Sequence, residues 1–281
     1  MYRNLYLSNT FAFLTHDMYF VCFVVLVFIL NFCLSNIEIE CKIGLFPDVG
    51  GTWWIPRLKL YEQWKNKNVV GGVGNYLALT GNTLKGDDLI YAGIATHYVK
   101  SNQLKELQSA LADASNDNSD MLGDCAESVL KSFHSIDTES SFLSQNRYDI
   151  EHAFDGKDTI EEIIEALESM GTDSEFGQST LQTLSKMSPT SLKVTLEGLK
   201  RGARAQNIGE ALQIEYRMSQ AFMREGSDFY EGIRAALVDK DRSPKWSPAS
   251  LEEVTQEMVE SYFEELGERE LTFITNETAK L

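Results

Sequence analysis

The feature that most constrains this chain is the run from Met18 to Leu34 (MYFVCFVVLVFILNFCL), almost uninterrupted in Phe, Val, Leu, Ile and Cys. It is too long for an ordinary strand and at the short limit for a transmembrane helix. Three readings fit it. It is a membrane anchor or signal-type apolar region, although Arg3 is the only basic residue ahead of it. It is a deeply buried core segment. Or it is sequence foreign to the domain that follows. The organisation expected is therefore an atypical apolar N-terminal segment over 1–36 and a folded domain over 37–281. Being a continuous apolar run without turns, the stretch before about Ser35 is expected not to dock as the strands of that domain's own architecture. A sequon at Asn276-Glu277-Thr278 suits a secreted reading, but such triplets are common by chance.

From Ile39 the texture is that of a globular protein. The chain has 281 residues, 43% hydrophobic and 24% charged, enough for one large domain or two small ones with a buried core. The net charge of -17, with no Lys/Arg cluster, argues against nucleic acid as a partner. An anionic ligand can still bind through local basic groups and backbone N–H donors. Cys22, Cys33, Cys41 and Cys125 form no CxxC pair, which reads as reduced intracellular thiols. His16, His97, His134 and His152 lack metal-binding spacing, so no metal site is expected. His97, in the apolar stretch Ile94 to Val99, reads as a hydrogen-bonded core or edge histidine.

Pattern and punctuation place helices over Asn75–Thr80, stopped by Gly81, and over Asp87–Gly93, with a strand over Ile94–Val99. Residues 61–70 read as a polar surface insertion. A helical stretch from Asn102 to Ser140 is broken by the polar run Ser115–Asp120. Asp158-Thr159-Ile160-Glu161 resembles a capping box opening a helix to about Met170. Ser188 before Pro189 is an N-cap followed by proline at the first helical position, beginning a helix to about Arg201. Further helices are expected over Ile208–Arg224 and Phe229–Val238. The C-terminal half is thus nearly all helix.

Two phosphate-loop lookalikes fail on inspection. Gly81 to Gly86 has Walker spacing but continues with Asp87 and Asp88 instead of Lys-Ser/Thr, so it is a turn. Gly71, Gly72 and Gly74 lack the third glycine of a dinucleotide fingerprint and read as a loop leading into a helix. The informative stretch runs from Glu40 to Leu58. It sets two carboxylates, Glu40 and Asp48, eight residues apart around a tight Gly/Pro loop. Such a loop can aim both into one pocket, one as base and the other orienting substrate. The alternative is that Glu40 ends a strand in solvent and Asp48 caps a turn. The residues alone favour that alternative, since most carboxylates near glycines are turn formers.

The same stretch resembles the crotonase superfamily, which carries P-E-x-x-I-G-L-x-P-x-x-G-G-x-x-x-L-P-R-L; its spacing is reproduced from Glu40 to Leu58. Ile43 to Gly51 reads I-G-L-F-P-D-V-G-G, with Asp48 where the hydratase branch has Gly, and so resembles the 3-hydroxyisobutyryl-CoA hydrolase branch. Tyr76 to Gly81, Leu84 to Gly86, Ala92 to His97, Thr159 to Ile163, Lys186 to Lys193, Asp228 to Ala235 and Asp239 to Trp246 continue the resemblance, which covers Ile39 to Phe273.

The resemblance implies an α+β, helix-dominated chain, a partial crotonase-like (ββα) spiral followed by a helical C-terminal region. It implies hydrolysis of the thioester of 3-hydroxyisobutyryl-CoA in valine breakdown, in mitochondria, with no metal or redox cofactor because CoA is part of the substrate. Glu40 matches the position of the nucleophile or general base and Asp48 that of the group holding the substrate hydroxyl or the water. The family's oxyanion donors lie upstream of Glu40, where this chain has the apolar run and no glycine before Gly44. The family's Pro before the glutamate is Ile39. The upstream part is expected to be missing or replaced, and loss of even one oxyanion donor costs about a hundredfold in rate. Two functions follow as expectations. One is the thioester hydrolase. The other is a non-catalytic crotonase-like product, truncated or tethered to a membrane through Met18–Leu34.

Overall fold

The computed structural model describes residues 5–7, 40–58, 72–117, 122–135 and 139–273. In chain order the principal elements are β1 (Leu5–Leu7), α1 (Gly51–Trp54), α2 (Val73–Thr80), α3 (Gly86–Tyr91), β2 (His97–Val99), α4 (Leu104–Asp117), α5 (Leu122–Phe133), α6 (Phe142–Gln145), α7 (Arg147–Phe154), α8 (Ile160–Ser169), α9 (Glu175–Leu184), α10 (Pro189–Arg204), α11 (Ile208–Phe222), α12 (Asp228–Ile233) and α13 (Gln256–Glu260). Helix dominates, as expected. The sequences of the apolar run Met18–Leu34, the 61–70 insertion and the sequon at 276–278 lie outside the described residues, as do Cys22, Cys33 and His16. Among the described residues no helix is long and apolar enough to cross a membrane.

These residues fall into two compact units. In the first, β1 pairs antiparallel with β2, Tyr6 opposite Tyr98. The strand Leu5–Leu7 precedes the apolar run and pairs over three residues. The strand expected over Ile94–Val99 begins only at His97. Gly93 at φ +68 and the Ile94 and Ala95 amides donating to Leu89 O use up the preceding residues as the exit from α3. His97 is buried, its Nδ1 3.0 Å from Thr96 Oγ1 and its Nε2 3.7 Å from Glu127, as a core-edge histidine should be. Asp88, buried on α3, accepts from Leu143 N at 2.8 Å and so ties down the start of α6.

The second unit is built around α10, buried on nearly every side: Pro189, Leu192, Val194, Thr195, Leu196, Gly198, Leu199 and Gly202 are all sequestered. A broad apolar face sets this helix at the centre of the core, while Lys193, Glu197, Lys200 and Arg201 on its remaining face form ion pairs. Ser188 caps it as expected, its hydroxyl accepting from Ser191 N, with Pro189 at the first position. The helix runs three residues beyond Arg201 because Arg57 closes its end, donating from Nη1 to Gly202 O and from Nη2 to Ala203 O and Ala205 O. A guanidinium fork thus caps the last carbonyls of the helix, of which Gly202 O also accepts from Ala205 N at 3.3 Å. The capping box shifts by one residue: Thr159, not Asp158, accepts from Glu162 N, while Glu162 reaches back to Asp158 N. The expected Phe229–Val238 helix starts at Asp228 and turns π-helical over Arg234–Val238. The core gathers Phe46, Val194, Met218, Phe222, Val254, Val259 and Phe263, with Phe46 stacked on Phe222 at 5.5 Å between centroids.

Candidate active site

Both expected carboxylates stand in the second unit, on the segment 40–58. Glu40 opens a single 3-10 turn (Cys41–Ile43) that ends at Gly44, φ +72. A left-handed residue there needs glycine, and so does the packing. A Cβ on Gly44 would lie 2.4 Å from Asp228 O, and one on Gly232 would lie 2.1 Å from Ile43 O, so this turn lies backbone to backbone on α12. Cys41 fixes it from the other side. Its carbonyl accepts from Ser188 N at 3.1 Å, and its thiol meets Ala78 O and Thr195 Oγ1, each at 3.4 Å. Burial pushes that thiol up to about 12, which leaves it a neutral packing group.

The chain then buries Phe46, with no exposed surface, and turns through Pro47, Asp48, Val49 and Gly50 into α1. Asp48 O accepts from Gly51 N at 2.8 Å. Val49 sits at φ +54 with its side chain 70% exposed, followed by Gly50 at φ +84. A β-branched residue in that region costs about 1–2 kcal/mol, and exposure returns nothing for it. Farther on, a Cβ on Gly202 would lie 2.1 Å from Thr52 O, so α1 rests on the backbone of α10.

What holds the strained turn is Glu215 of α11, 4% exposed. Its Oε2 accepts from Gly50 N at 2.8 Å; its Oε1 accepts from Thr52 N at 2.8 Å and Thr52 Oγ1 at 2.7 Å. Sequence reading missed this residue, although a signal exists. Glu215 shares the apolar face of its helix with Ala211, Met218 and Phe222, at spacings of four, three and seven. A carboxylate on such a face needs partners.

The electrostatics set Glu40 apart. Its Oε2 is buried and has no hydrogen-bond partner among the described residues. Burial first, then the charges of Asp48 and Glu215, push its carboxyl up to about 8. Asp48 is also raised, by loss of surrounding water even though its loop is exposed. Burial raises Glu215 too, opposed by the three hydrogen bonds that it accepts. The structure thus brings Glu40 and Asp48 close enough for one charge to act on the other. Glu40 is not at the end of a solvated strand; it opens a half-buried turn. Asp48 does sit in a turn, as the blander reading held, but the turn is closed by its backbone carbonyl. A half-buried carboxyl that gains and loses its proton near neutrality can act as base, acid or nucleophile.

A model of the family described as enoyl-CoA hydratase/isomerase matches residues 39–263. The chain is 46% identical over 232 residues to "3-hydroxyisobutyryl-CoA hydrolase, mitochondrial" of Xenopus laevis, covering 83% of this chain and 56% of that protein. It is 44% identical over 237 residues to the protein of the same description in Homo sapiens, with the same coverage. Among solved structures it is similar to a carnitinyl-CoA dehydratase from Mycobacterium thermoresistibile, TM-score 0.66 and 35% identity, over 83% of this chain and 60% of that one. An enoyl-CoA hydratase from Rhodobacter sphaeroides 2.4.1 gives the same values. The chain spans about half the length of the curated relatives it matches.

Proposed function

This chain belongs to the enoyl-CoA hydratase/isomerase family, and from that premise we propose that it carries the carboxylate half of a site hydrolysing 3-hydroxyisobutyryl-CoA to 3-hydroxyisobutyrate and CoA. The observation that carries the reading is Glu40, whose buried, unpartnered oxygen sits on a carboxyl pushed up to about 8 beside Asp48. In its ionised form Glu40 either attacks the thioester carbonyl, giving a mixed anhydride that water then cleaves to the free acid and the restored carboxylate, or takes the proton of a water that attacks directly. Burial leaves that anion poorly solvated and therefore reactive. Asp48, on the exposed turn, accepts from the substrate's 3-hydroxyl or the attacking water. The thiolate of CoA is the leaving group. The chemistry asks for neither metal nor redox cofactor, CoA being part of the substrate.

Within the family's architecture, we read residues from Ile39 onward as the last part of a (ββα) spiral followed by its helical C-terminal region. The Xenopus laevis and Homo sapiens relatives are named mitochondrial, which supports a mitochondrial setting. The test joins this chain to the portion of the Xenopus relative that it does not match and follows free-thiol release. Release from 3-hydroxyisobutyryl-CoA is expected. Hydration of an enoyl-CoA without thioester cleavage would instead place the protein with the hydratases.

A further inference from the structure

Glu215 belongs to no motif in the segment 40–58, yet every hydrogen bond described for its carboxylate goes to that segment, to the residues on either side of Gly51. The bonds grip the chain at the end of the left-handed pair Val49 and Gly50, the two consecutive residues at positive φ. On the near side the turn is anchored by Phe46 in the core; between Phe46 and the gripped Gly50 stand Pro47, Asp48 and Val49. Val49, exposed and left-handed, gives the turn no reason of its own to hold this shape. An extended Val49 would undo the left-handed pair and with it the turn in which Asp48 stands. The geometry points to Glu215 as a positioning residue: by clamping Gly50 and Thr52 it locks the strained turn that presents Asp48 to Glu40.

The alternative is that Glu215 merely stabilises the core, in which case its loss lowers stability and leaves the Asp48–Glu40 relation intact. A double-mutant cycle on the full chain separates the two. The readout is the titration midpoint of the Glu40 side-chain carboxyl, followed by NMR on carbon-13-labelled glutamate. Besides Asp48 and Glu215, Cys41 faces this carboxyl, and it stays neutral throughout. Removing Glu215's charge lowers the Glu40 midpoint by itself, so the informative quantity is the further effect of Asp48→Asn.

In the native background Asp48→Asn lowers the midpoint. In Glu215→Gln, where an amide N–H₂ faces a backbone N–H and one grip is lost, that lowering is expected to disappear. Adding Val49→Gly, which takes φ near +54 without strain, is expected to bring it back. If Asp48→Asn lowers Glu40 equally in both backgrounds, the positioning role is overturned. Should Glu215→Gln fail to fold, Thr52→Val removes one of the three donors. A diminished effect of Asp48→Asn there supports the role, and an undiminished one overturns it. The proposal rests on reading Glu40 and Asp48 as a working pair, but the cycle needs no turnover. Absence of thioester hydrolysis therefore refutes that reading and leaves the cycle standing, while a failed cycle removes Glu215 alone.

Discussion

Replacing Glu40 with glutamine should make the protein more stable, and increasingly so as the pH rises. The native carboxyl titrates at about 8 against an ordinary 4.5. Between those values the folded state holds a proton that the unfolded chain has already released, so stability falls as pH rises through this window and levels off above it. Each pH unit is worth about 1.4 kcal/mol, which over the span from 4.5 to about 8 sums to roughly 5 kcal/mol as an upper bound. Glu40 keeps some exposure, and solvent screening brings the expectation to about 2–4 kcal/mol. The amide of the Glu40→Gln variant has the same shape and no charge to desolvate. Urea unfolding followed by tryptophan fluorescence at intervals from about pH 5 to about pH 9 gives the difference directly. Near the acid end the two proteins should differ little; at the alkaline end Glu40→Gln should be the more stable by about 2–4 kcal/mol. Parallel pH profiles, or a variant less stable at high pH, would refute the claim that a strained, buried charge sits at this position.

Other outcomes follow from the same geometry. Asp48→Gly should leave the fold intact and remove the preference for 3-hydroxy over unhydroxylated acyl-CoA esters, seen as a fall in the ratio of their kcat/KM values; a lowered melting point with unchanged selectivity would make Asp48 only a turn former. With Glu40 acting as its anion, kcat/KM should climb about tenfold per pH unit below a plateau beginning near 8, and a rate falling over that range would make Glu40 an acid instead. Phe46→Ala empties a site with no exposed surface at the root of the loop and should cost about 3–5 kcal/mol by urea unfolding. Gly202→Ala puts a methyl into Thr52 O and should cost about 1–3 kcal/mol even though alanine is the better helix former.

How far the sequence reaches is visible residue by residue. Ser188-Pro189 announces the central helix because capping is local chemistry, written in two adjacent side chains. Gly81 ends α2 at the residue expected, for the same reason. Glu40 and Asp48 stand out through the motif that the loop shares with the family, since the residues alone favour turn roles for them. What is not legible is long-range. Glu215 lies 165 residues from Gly50 in sequence, and nothing local says which amides it will find. Arg57 reads as part of a Pro-Arg-Leu motif, but its task of closing α10 depends on carbonyls that arrive some 145 residues later. Gly44, Gly202 and Gly232 look like ordinary turn or helix glycines until a second backbone is pressed against each. The one-residue shift of the Thr159 cap and the delayed start of β2 show the same limit at smaller scale, since neighbouring residues compete for the same bond.

The role of Glu40 is tested most directly by measuring thioester cleavage by the Glu40→Gln variant. This chain, joined to the unmatched portion of its Xenopus relative, is assayed for free thiol from 3-hydroxyisobutyryl-CoA beside the same protein carrying Glu40→Gln, with both confirmed folded by their unfolding curves. Glu40→Gln should lose at least about a thousandfold in kcat, the scale expected when a group acting on the reacting atoms is removed. Turnover within about tenfold of the unsubstituted protein would contradict that role and take Glu40 out of the chemistry.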